Sequence, residues 1–322
     1  MNAKPLVCRE IQVDLVAAAT GDAGPAARVR VERHVAACPP CRGEFHQYRA
    51  IDTMVVSLRE APLPGGRIGL ARVELESRLA DLKRRLVAYG VFPSPLGRIL
   101  IARSDLGVSL VEYLEGGKGL VASRLGRAPG IEAVEDGAEV ERLYWELLEY
   151  LEGRRTRLEW PLDFRLARSE FHRAVLEVTA GIPYGAVVSY AGVARDVGRP
   201  AATRAVAQAL RWNPLPIVVP CHRVIGGSGD LTGYAGNKVG LKQRLLALEG
   251  VPTARARGDL RVEREAMYVR NRDWEEYCLP TCGSLPAVPL SRLTLFASRE
   301  RAEAVGLAPC TSCRPDLHPL AR

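Results

Sequence analysis

The periodicity of apolar and polar positions changes several times along the chain, and each change indicates a new element. Residues 1–60 place apolar side chains at helical spacing, with an interruption at the "CPPC" stretch of residues 38–41. A turn-rich break follows at 61–69, and residues 71–90 are typical of a charged amphipathic helix or a linker. From about residue 86, short β-type runs alternate with "SPLG" and "SDLG" turns. This alternation predicts a hairpin or meander.

The pattern after these strands is mostly helical. We predict one helix from residue 131 to Gly153. Ser169 is a suitable N-cap for the next helix, and Ser189 for a shorter one. A Gly-Arg-Pro turn separates the shorter helix from an alanine-rich helix over 201–211. Two short helices joined in this way are typical of a helix-turn-helix.

Cys221 follows a continuous apolar run and precedes a histidine. The run covers residues 216–219 and ends at a proline, and His222 follows the cysteine. A thiol is a strong nucleophile only as a thiolate, which requires a base and a group that orients the base. His222 is the candidate base, and Glu249, at the end of a leucine-rich amphipathic helix, is the candidate third group. Spacing alone leaves two interpretations open, a nucleophile of this kind or a small buried hydrophobe.

Composition places the chain among globular proteins of more than one domain. It has 322 residues, of which 47% are hydrophobic and 25% charged. Since it has neither a membrane-length apolar run nor a secretory signal, we expect a cytoplasmic protein without membrane association. The formal net charge is +8, and residues 172–260 hold eleven Lys or Arg against five Asp or Glu. Localised positive charge suits a polyphosphate partner, although a solvated arginine-rich surface would look the same.

Eight cysteines in a cytoplasmic chain favour metal binding or catalysis over disulfides. Cys221 lies alone in the sequence, and the others form one group near each end. Near the C-terminus, a C-x3-C pair and a C-x2-C pair are separated by 27 residues, which is a strong signal for tetrahedral zinc. Near the N-terminus, an H-x3-C-x2-C stretch follows a single cysteine. The predicted zinc ligands are Cys278, Cys282, Cys310 and Cys313 near the C-terminus. Near the N-terminus, the corresponding candidates are Cys8, His34, Cys38 and Cys41, whose assignment to zinc depends on the resemblance described below.

The stretch around Cys221 resembles a known family. "NPLPIVVPCHRVIG", with "SYAGVA" upstream and "TGYAGN…LKQRLLALEG" downstream, is similar to the O6-alkylguanine-DNA alkyltransferases over residues 85–253. The resemblance implies an α+β multidomain fold, with a ribonuclease-H-like α/β domain at 85–165 and a catalytic winged helix-turn-helix domain at 166–254. It also implies a monomer that repairs double-stranded DNA without an organic cofactor. The alkyl group of O6-alkylguanine, or of O4-methylthymine, would pass irreversibly to a cysteine.

Three matched positions carry the chemistry that this resemblance implies. Cys221 would be the acceptor thiol, and His222 the base that deprotonates it through a water. Glu249 would be the carboxylate behind that base. Because the product is a thioether that no base in the site can reverse, each molecule would act once.

Four further positions match residues that handle the substrate in that family. Tyr190 would help to rotate the target nucleotide out of the duplex, and Arg211 would fill the vacated space. Asn213 would support the active-site turn, and Tyr234 lies in the loop that closes over the alkylated base. The loop "GYAGNKVGLK" is one residue longer than the usual spacing, which leaves the range of substrates open.

The two ends of the chain resemble other zinc proteins. "CLPTC…LTLFASRERAEAVGLAPCTSCRPD", within 267–318, resembles the zinc domain of Ada-type adaptive-response proteins. That likeness leaves two alternatives open: a structural zinc with DNA contact, or a zinc site in which Cys278 is also a second methyl acceptor for methylphosphotriesters. Residues 1–60 resemble the zinc-binding anti-sigma domain, which implies a sigma-factor-like partner or release of zinc on oxidation. Residues 61–84 would be a linker or helix, and 255–266 a second linker.

Two other classes of function remain open at this point. A DNA-binding regulator that responds to redox state or methylation would depend on the zinc modules, bind specific sequences and not need Cys221. A Cys-His hydrolase would turn over repeatedly, whereas an alkyltransferase reacts once per molecule.

Overall fold

The computed structural model divides the chain into two compact units, Met1–Ser77 and Arg78–Arg322. Among the described residues, no helix combines the length and the apolar character that a membrane crossing requires. The described residues are 6–60, 67–114, 124–234, 238–256, 258–285 and 288–320.

The first unit is helical, as its periodicity predicts. Pro25 begins one helix and Pro39 the next, because a proline fits the first turn, where the missing N–H costs no hydrogen bond. Between them Cys38 is extended (φ −119°, ψ 99°), so the "CPPC" interruption separates two helices. Residues 61–66 of the predicted linker lie outside the described residues, and α5 spans the division between the units. The helices are α1 (Leu6–Glu10), α2 (Gln12–Ala19), α3 (Pro25–Ala37), α4 (Pro39–Glu60) and α5 (Arg67–Arg85).

The second unit begins with a four-stranded sheet of order β3-β2-β1-β4. The predicted meander is confirmed as antiparallel β1 (Leu86–Phe92), β2 (Arg98–Ser104) and β3 (Gly107–Leu114). The prediction of one helix from residue 131 is wrong, because β4 (Glu132–Glu135) gains backbone hydrogen bonds by pairing in parallel with β1. Helix α6 (Gly137–Leu151) begins only after Asp136, whose carboxylate accepts from the Glu139 N–H.

Both predicted serine caps are confirmed. Ser169 Oγ accepts from the His172 N–H (3.1 Å), and Ser189 Oγ accepts from the Gly192 N–H (3.0 Å). The alanines at 201 and 202 precede the second short helix instead of lying within it. The elements are α7 (Glu170–Ala180), β5 (Ala186–Ser189), α8 (Tyr190–Asp196), α9 (Thr203–Arg211), β6 (Val224–Ile225) and α10 (Val239–Leu248).

The C-terminal part departs most from expectation. Residues 255–266, predicted as a linker, lie largely in a hairpin of β7 (Thr253–Ala256) and β8 (Asp259–Val262). The charged sequence gives no indication of the backbone hydrogen bonds that hold the hairpin in place, such as the one from the Leu231 N–H to the Leu260 carbonyl (2.8 Å). Two later strands join β5 and β6 in one sheet of order β6-β5-β11-β9, so the cysteine-rich segment shares a sheet with the preceding part. The later elements are β9 (Tyr268–Asn271), β10 (Glu276–Tyr277), β11 (Leu293–Phe296), α11 (Arg299–Glu303) and β12 (Ala308–Pro309).

Candidate active site and metal clusters

Cys221 lies at the end of a tight turn, residues 213–221, that follows α9. Within the turn the Val219 N–H donates to the Leu215 carbonyl (2.7 Å), and Ile217 adopts a positive φ of 75°. The Asn213 amide holds this turn together. Its Nδ2 donates to the Val219 carbonyl (2.9 Å) and lies 3.2 Å from Cys221 Sγ, while its Oδ1 accepts from the Leu215 N–H (2.9 Å). One side chain therefore fixes both the turn and the thiol.

The Cys221 thiol is buried, with 6% of the residue exposed. Burial raises its pKa, whereas the Asn213 amide and the positive charges of Lys242 and Arg124 act in the opposite direction. Lys242 is fully buried and its Nζ donates to two backbone carbonyls, at 2.5 and 3.0 Å. Burial lowers the pKa of Lys242 to about 8. The thiol therefore needs a base, but fixed charge nearby favours its thiolate.

His222 supplies a suitable base in an enclosed setting. Its Nε2 donates to Glu249 Oε1 at 2.6 Å, and both side chains are fully buried. Burial lowers the pKa of His222, so the ring is neutral at neutral pH. Because Nε2 carries the hydrogen, Nδ1 holds a free lone pair, and Nδ1 is buried without a hydrogen-bond partner among the described residues. The ring is therefore ready to accept a proton at Nδ1.

Glu249 is a fixed anion behind this histidine. Its Oε1 also accepts from Tyr150 Oη (2.5 Å), and its Oε2 accepts from Arg223 Nε (2.8 Å) and the Gly185 N–H (3.0 Å). Burial opposes the charge, but His222 and Arg223 hold the pKa of this carboxyl well below its usual range. The carboxylate therefore stays ionised and orients the imidazole.

Two tyrosines border the site. Tyr234 is buried, its hydroxyl hydrogen-bonds that of Tyr113 (2.9 Å), and its ring meets the His222 ring edge-on at 6.2 Å. Tyr190, the first residue of α8, donates to the Thr232 carbonyl at 3.3 Å. The structure thus brings both sequence-selected tyrosines to the neighbourhood of Cys221, while residues 235–237 of the following loop lie outside the described part.

Helix α9 exposes an arginine at each end. Arg211, its last residue, lines a cavity of about 80 Å³ together with Cys221. Arg204, which the sequence did not single out, is exposed in the first turn of the same helix. Both arginines are exposed to solvent, and Arg211 is the one that shares a cavity with the thiol.

Several further residues of the site were missed by sequence reasoning. Arg223 and Lys242 stand inside the motifs quoted above, so their chemistry was available as a signal. Tyr150, Tyr113 and Arg124 come from the preceding α/β part, and nothing in their local sequence indicates a role. Arg124 Nη1 donates to the carbonyls of residues 212 and 213, at 3.0 and 2.7 Å, and so braces the start of the active-site turn.

The structure brings together the four residues expected to bind zinc near the N-terminus. The ligand atoms of Cys8, His34, Cys38 and Cys41 all lie within 4.8 Å of one another. His34 Nε2 is buried and has no hydrogen-bond partner in the described part of the chain, as expected of a nitrogen that faces a metal. Three sulfurs and one imidazole fit Zn²⁺.

The C-terminal cluster is assembled in the same way. The sulfurs of Cys278, Cys282, Cys310 and Cys313 lie within 4.8 Å of one another, and the first three residues are buried. The Leu279 N–H points at Cys313 Sγ (3.3 Å), a contact that favours a thiolate. Four thiolates in this arrangement also fit Zn²⁺, which would cross-link the chain segments that supply them.

A buried thiol beside a fixed His–Glu pair, with arginines exposed on an adjacent short helix, defines a nucleophilic cysteine protein suited to a polyanionic substrate. The family described as "6-O-methylguanine DNA methyltransferase, DNA binding domain" matches residues 170–251, and "Putative zinc-finger" matches residues 8–42. A methylated-DNA–protein-cysteine methyltransferase of Methanosarcina acetivorans is 37% identical over 164 residues, covering 50% of this chain and 97% of that protein. The chain belongs to the methylated-DNA–protein-cysteine methyltransferase family.

Other similar proteins have the same description. The inducible enzyme of Bacillus subtilis is 45% identical over 123 residues, which is 38% of this chain and 67% of the relative. A crystal structure of Mycobacterium tuberculosis OGT in complex with DNA is 33% identical, with a TM-score of 0.42, and the match covers 51% of this chain and 92% of that one.

Proposed function

We propose that this protein repairs DNA by irreversible transfer of a methyl or other alkyl group from O6-alkylguanine to Cys221. The observation that carries the proposal is the buried Cys221 thiol, held by Asn213 and followed by the His222–Glu249 pair with its free Nδ1. The names of the relatives support the same reaction. O4-methylthymine offers a similar O-alkyl carbon and is a second candidate substrate.

The geometry supports one sequence of steps. The thiol proton passes through a water to His222 Nδ1, while Glu249 holds the opposite nitrogen and stabilises the imidazolium. The Cys221 thiolate attacks the alkyl carbon, so that a C–S bond forms as the C–O6 bond breaks. The guanine leaves as an anion and takes up the proton. Because the thioether has no route back to a thiol, one molecule repairs one base.

The proposal also assigns a domain type to each part of the chain. We assign residues 85–165 to a ribonuclease-H-like domain and 166–254 to a winged helix-turn-helix domain. The pairing of β4 with the meander supports the first assignment, and α8 followed by α9 supports the second. Residues 1–60 then form an anti-sigma-like zinc module with a sigma-factor-like partner, and the whole chain is a monomer on double-stranded DNA.

Tyr190→Ala and Arg211→Ala should slow repair in duplex DNA by about tenfold or more, but transfer from free O6-benzylguanine much less. Only the duplex reaction requires extrusion of the base, which costs a few kcal/mol. Rates of alkyl transfer to Cys221 on both substrates measure the difference. Arg173→Ala, on the exposed face of α7, is the control because the ion pair that Arg173 forms within the described residues is with Glu177 of the same helix.

The outcome that contradicts these roles is an equal loss on both substrates. Arg204→Ala is measured in parallel, since this arginine lies on the same helix. A selective loss there and not at Arg211 would move the space-filling role to the first turn of α9.

Metal analysis of the full chain should find two zinc ions. Cys38→Ser with Cys41→Ser should remove one of them and leave alkyl transfer within about twofold of wild type, because these ligands belong to the unit Met1–Ser77. Removal of residues 1–60 should have the same effect on transfer. A chain without zinc, or a variant that no longer transfers, would contradict the division.

Cys278 is the candidate for a second methyl acceptor, by its place in the Ada-like pattern. A zinc-bound thiolate remains nucleophilic, but Cys278 has 0% of its surface exposed, and a phosphotriester methyl must approach the sulfur directly. We therefore expect no methyl on Cys278 in folded Cys221→Ser protein mixed with duplex that carries only methylphosphotriesters. Peptide mapping tests this, and a methyl on Cys278 would establish a second repair activity.

A further inference from the structure

The cysteine-rich segment, residues 267–318, is built into the sheet that carries the active site. Strand β11 pairs antiparallel with β5 in the register Thr294 to Val188, Leu295 to Val187 and Phe296 to Ala186. β5 runs directly into α8, whose first residue is Tyr190. Because β11 is hydrogen-bonded to β5, a shift of β11 would also shift the start of α8.

A short hydrogen-bond path leads from this segment to the catalytic histidine. The Ala297 N–H, just after β11, donates to the Gly185 carbonyl at 2.8 Å. The Gly185 N–H donates to Glu249 Oε2 (3.0 Å), and Glu249 Oε1 accepts from His222 Nε2 (2.6 Å). One peptide unit of the segment is thus two hydrogen bonds away from the carboxylate that orients the base.

Arg301 packs against the same turn, at Tyr184 and Gly185. Its guanidinium carbon lies 4.5 Å from the centre of the Tyr184 ring, and Tyr184 donates to the Leu248 carbonyl (3.0 Å) next to Glu249. Gly185 has a φ of +71°, and a Cβ there would meet the Glu249 carbonyl oxygen at 3.1 Å and Arg301 Cγ at 3.2 Å. The segment and the turn are therefore packed as closely as glycine allows.

A second set of contacts reaches α8. Arg272, after β9, donates from Nη1 to the Gly192 carbonyl (3.1 Å) and forms an ion pair with Asp196. The Ser189 hydroxyl, which caps α8, donates to the Leu290 carbonyl at 3.4 Å. The helix that presents Tyr190 is thus held near its beginning and at its end by residues of the segment.

The cysteines lie in the core that the two parts share. Three of the cysteines, Cys278, Cys282 and Cys310, belong to one buried hydrophobic cluster. The same cluster contains residues from the transferase part: Val187 of β5, Ile225 of β6, Leu246 of α10 and Val262 of β8. The four sulfurs lie within 4.8 Å of one another, so a metal ion bonded to all of them would cross-link the segments that supply them. Loss of the metal would therefore loosen this shared core.

We infer that residues 267–318 are a working part of the transferase site, in which metal binding at the four cysteines fixes β11 and through it the Glu249–His222 pair and α8. Arg301 and Arg272 are positioning residues, the first for the turn at Gly185 and the second for Tyr190. The inference rests on the proposed roles of Glu249 and Tyr190. It gives the C-terminal zinc a role in alkyl transfer that the N-terminal zinc does not have.

The first test compares two cysteine pairs in the full chain, Cys310→Ser with Cys313→Ser and Cys38→Ser with Cys41→Ser. Each pair should remove one zinc ion. Only the C-terminal pair should lower the melting temperature of the transferase unit and slow alkyl transfer to Cys221 by about tenfold or more. Equal transfer rates in the two variants, with one zinc lost from each, would overturn the inference.

The second test keeps all cysteines and both metals. Arg272→Met should slow duplex repair about tenfold but transfer from free O6-benzylguanine less than about twofold, because it frees only α8. Arg270→Met is its matched control, since the Arg270 guanidinium donates to the Trp274 carbonyl within the segment (2.9 Å). Zinc content should be unchanged in both.

Arg301→Ala should act on the base instead. It should slow transfer from both substrates and shift the pH profile of the free-base reaction, because Glu249 is then held less firmly against His222. Arg299→Ala, on the same helix, is the control. If wild-type protein places no alkyl group on Cys221, the proposed function fails; if wild type reacts and Arg272→Met and Arg301→Ala match their controls, this inference alone fails.

Discussion

Cys221→Ser protein is expected to bind duplex DNA with O6-methylguanine but to accept no methyl group, a loss of at least about 10⁴-fold in transfer. A serine hydroxyl is far less acidic and less nucleophilic than a thiol, and the His222–Glu249 pair cannot compensate for that difference. Wild-type protein should gain one methyl, about 14 Da, per chain and then stop. Intact mass after incubation with excess substrate measures both results.

Peptide mapping identifies the modified cysteine among the eight. Cys38→Ser is a suitable control, because it removes a thiol from the other unit and should still gain one methyl. Several turnovers per molecule would indicate a Cys-His hydrolase. A specific DNA sequence bound equally well by Cys221→Ser, without any transfer by wild type, would indicate a regulator built on the zinc modules.

The parts of this site that the sequence predicts are those encoded by local rules. The caps at Ser169 and Ser189 follow from hydroxyl acceptors placed before amphipathic runs, and both are confirmed. The two candidate metal sites are indicated by the spacing of cysteine and histidine residues and by the resemblances, and the candidate ligand atoms lie close together as expected. Local pattern also places His222 next to Cys221.

The parts that sequence did not predict depend on contacts between distant segments. β4 has a pattern compatible with a helix, and only the open edge of β1 makes it a strand. Tyr150 reaches Glu249 across 99 positions of the chain, and no periodicity can indicate such a pair. The junction at 255–266 is charged like a linker, yet the segment beyond it adds a strand to β5.

The C-terminal segment, residues 267–318, resembles a separate zinc domain but shares a sheet and a core with the transferase part. A module expected to act separately shares its buried cysteines with the core beneath the active site. On the inference above, a metal bound by these cysteines would stabilise the transferase directly. Cys278 itself is buried and pairs with Val269 through an isolated β-bridge. Sequence similarity indicates the candidate ligands, whereas the packing shows which part of the chain these cysteines contact.

Glu249→Gln is expected to destabilise the fold by about 3 kcal/mol or more at neutral pH and to slow alkyl transfer about 100-fold. The substitution leaves the buried Arg223 guanidinium without its counter-charge and the imidazolium of His222 without stabilisation. Thermal or denaturant unfolding and transfer from free O6-benzylguanine measure the two effects. Glu263→Gln, at an exposed carboxylate, is the control and should change neither.

The pH dependence of this difference separates the charge of Glu249 from its shape. Its pKa is depressed in the folded protein, so the carboxylate contributes stability that is fully present above its unfolded pKa of about 4.3. That contribution is lost as the pH falls through the lower, folded value. The free energies of unfolding of wild type and of Glu249→Gln should therefore converge as the pH falls below about 4. A difference that stays constant with pH would mean that the hydrogen-bond geometry at position 249, and not its charge, orients His222.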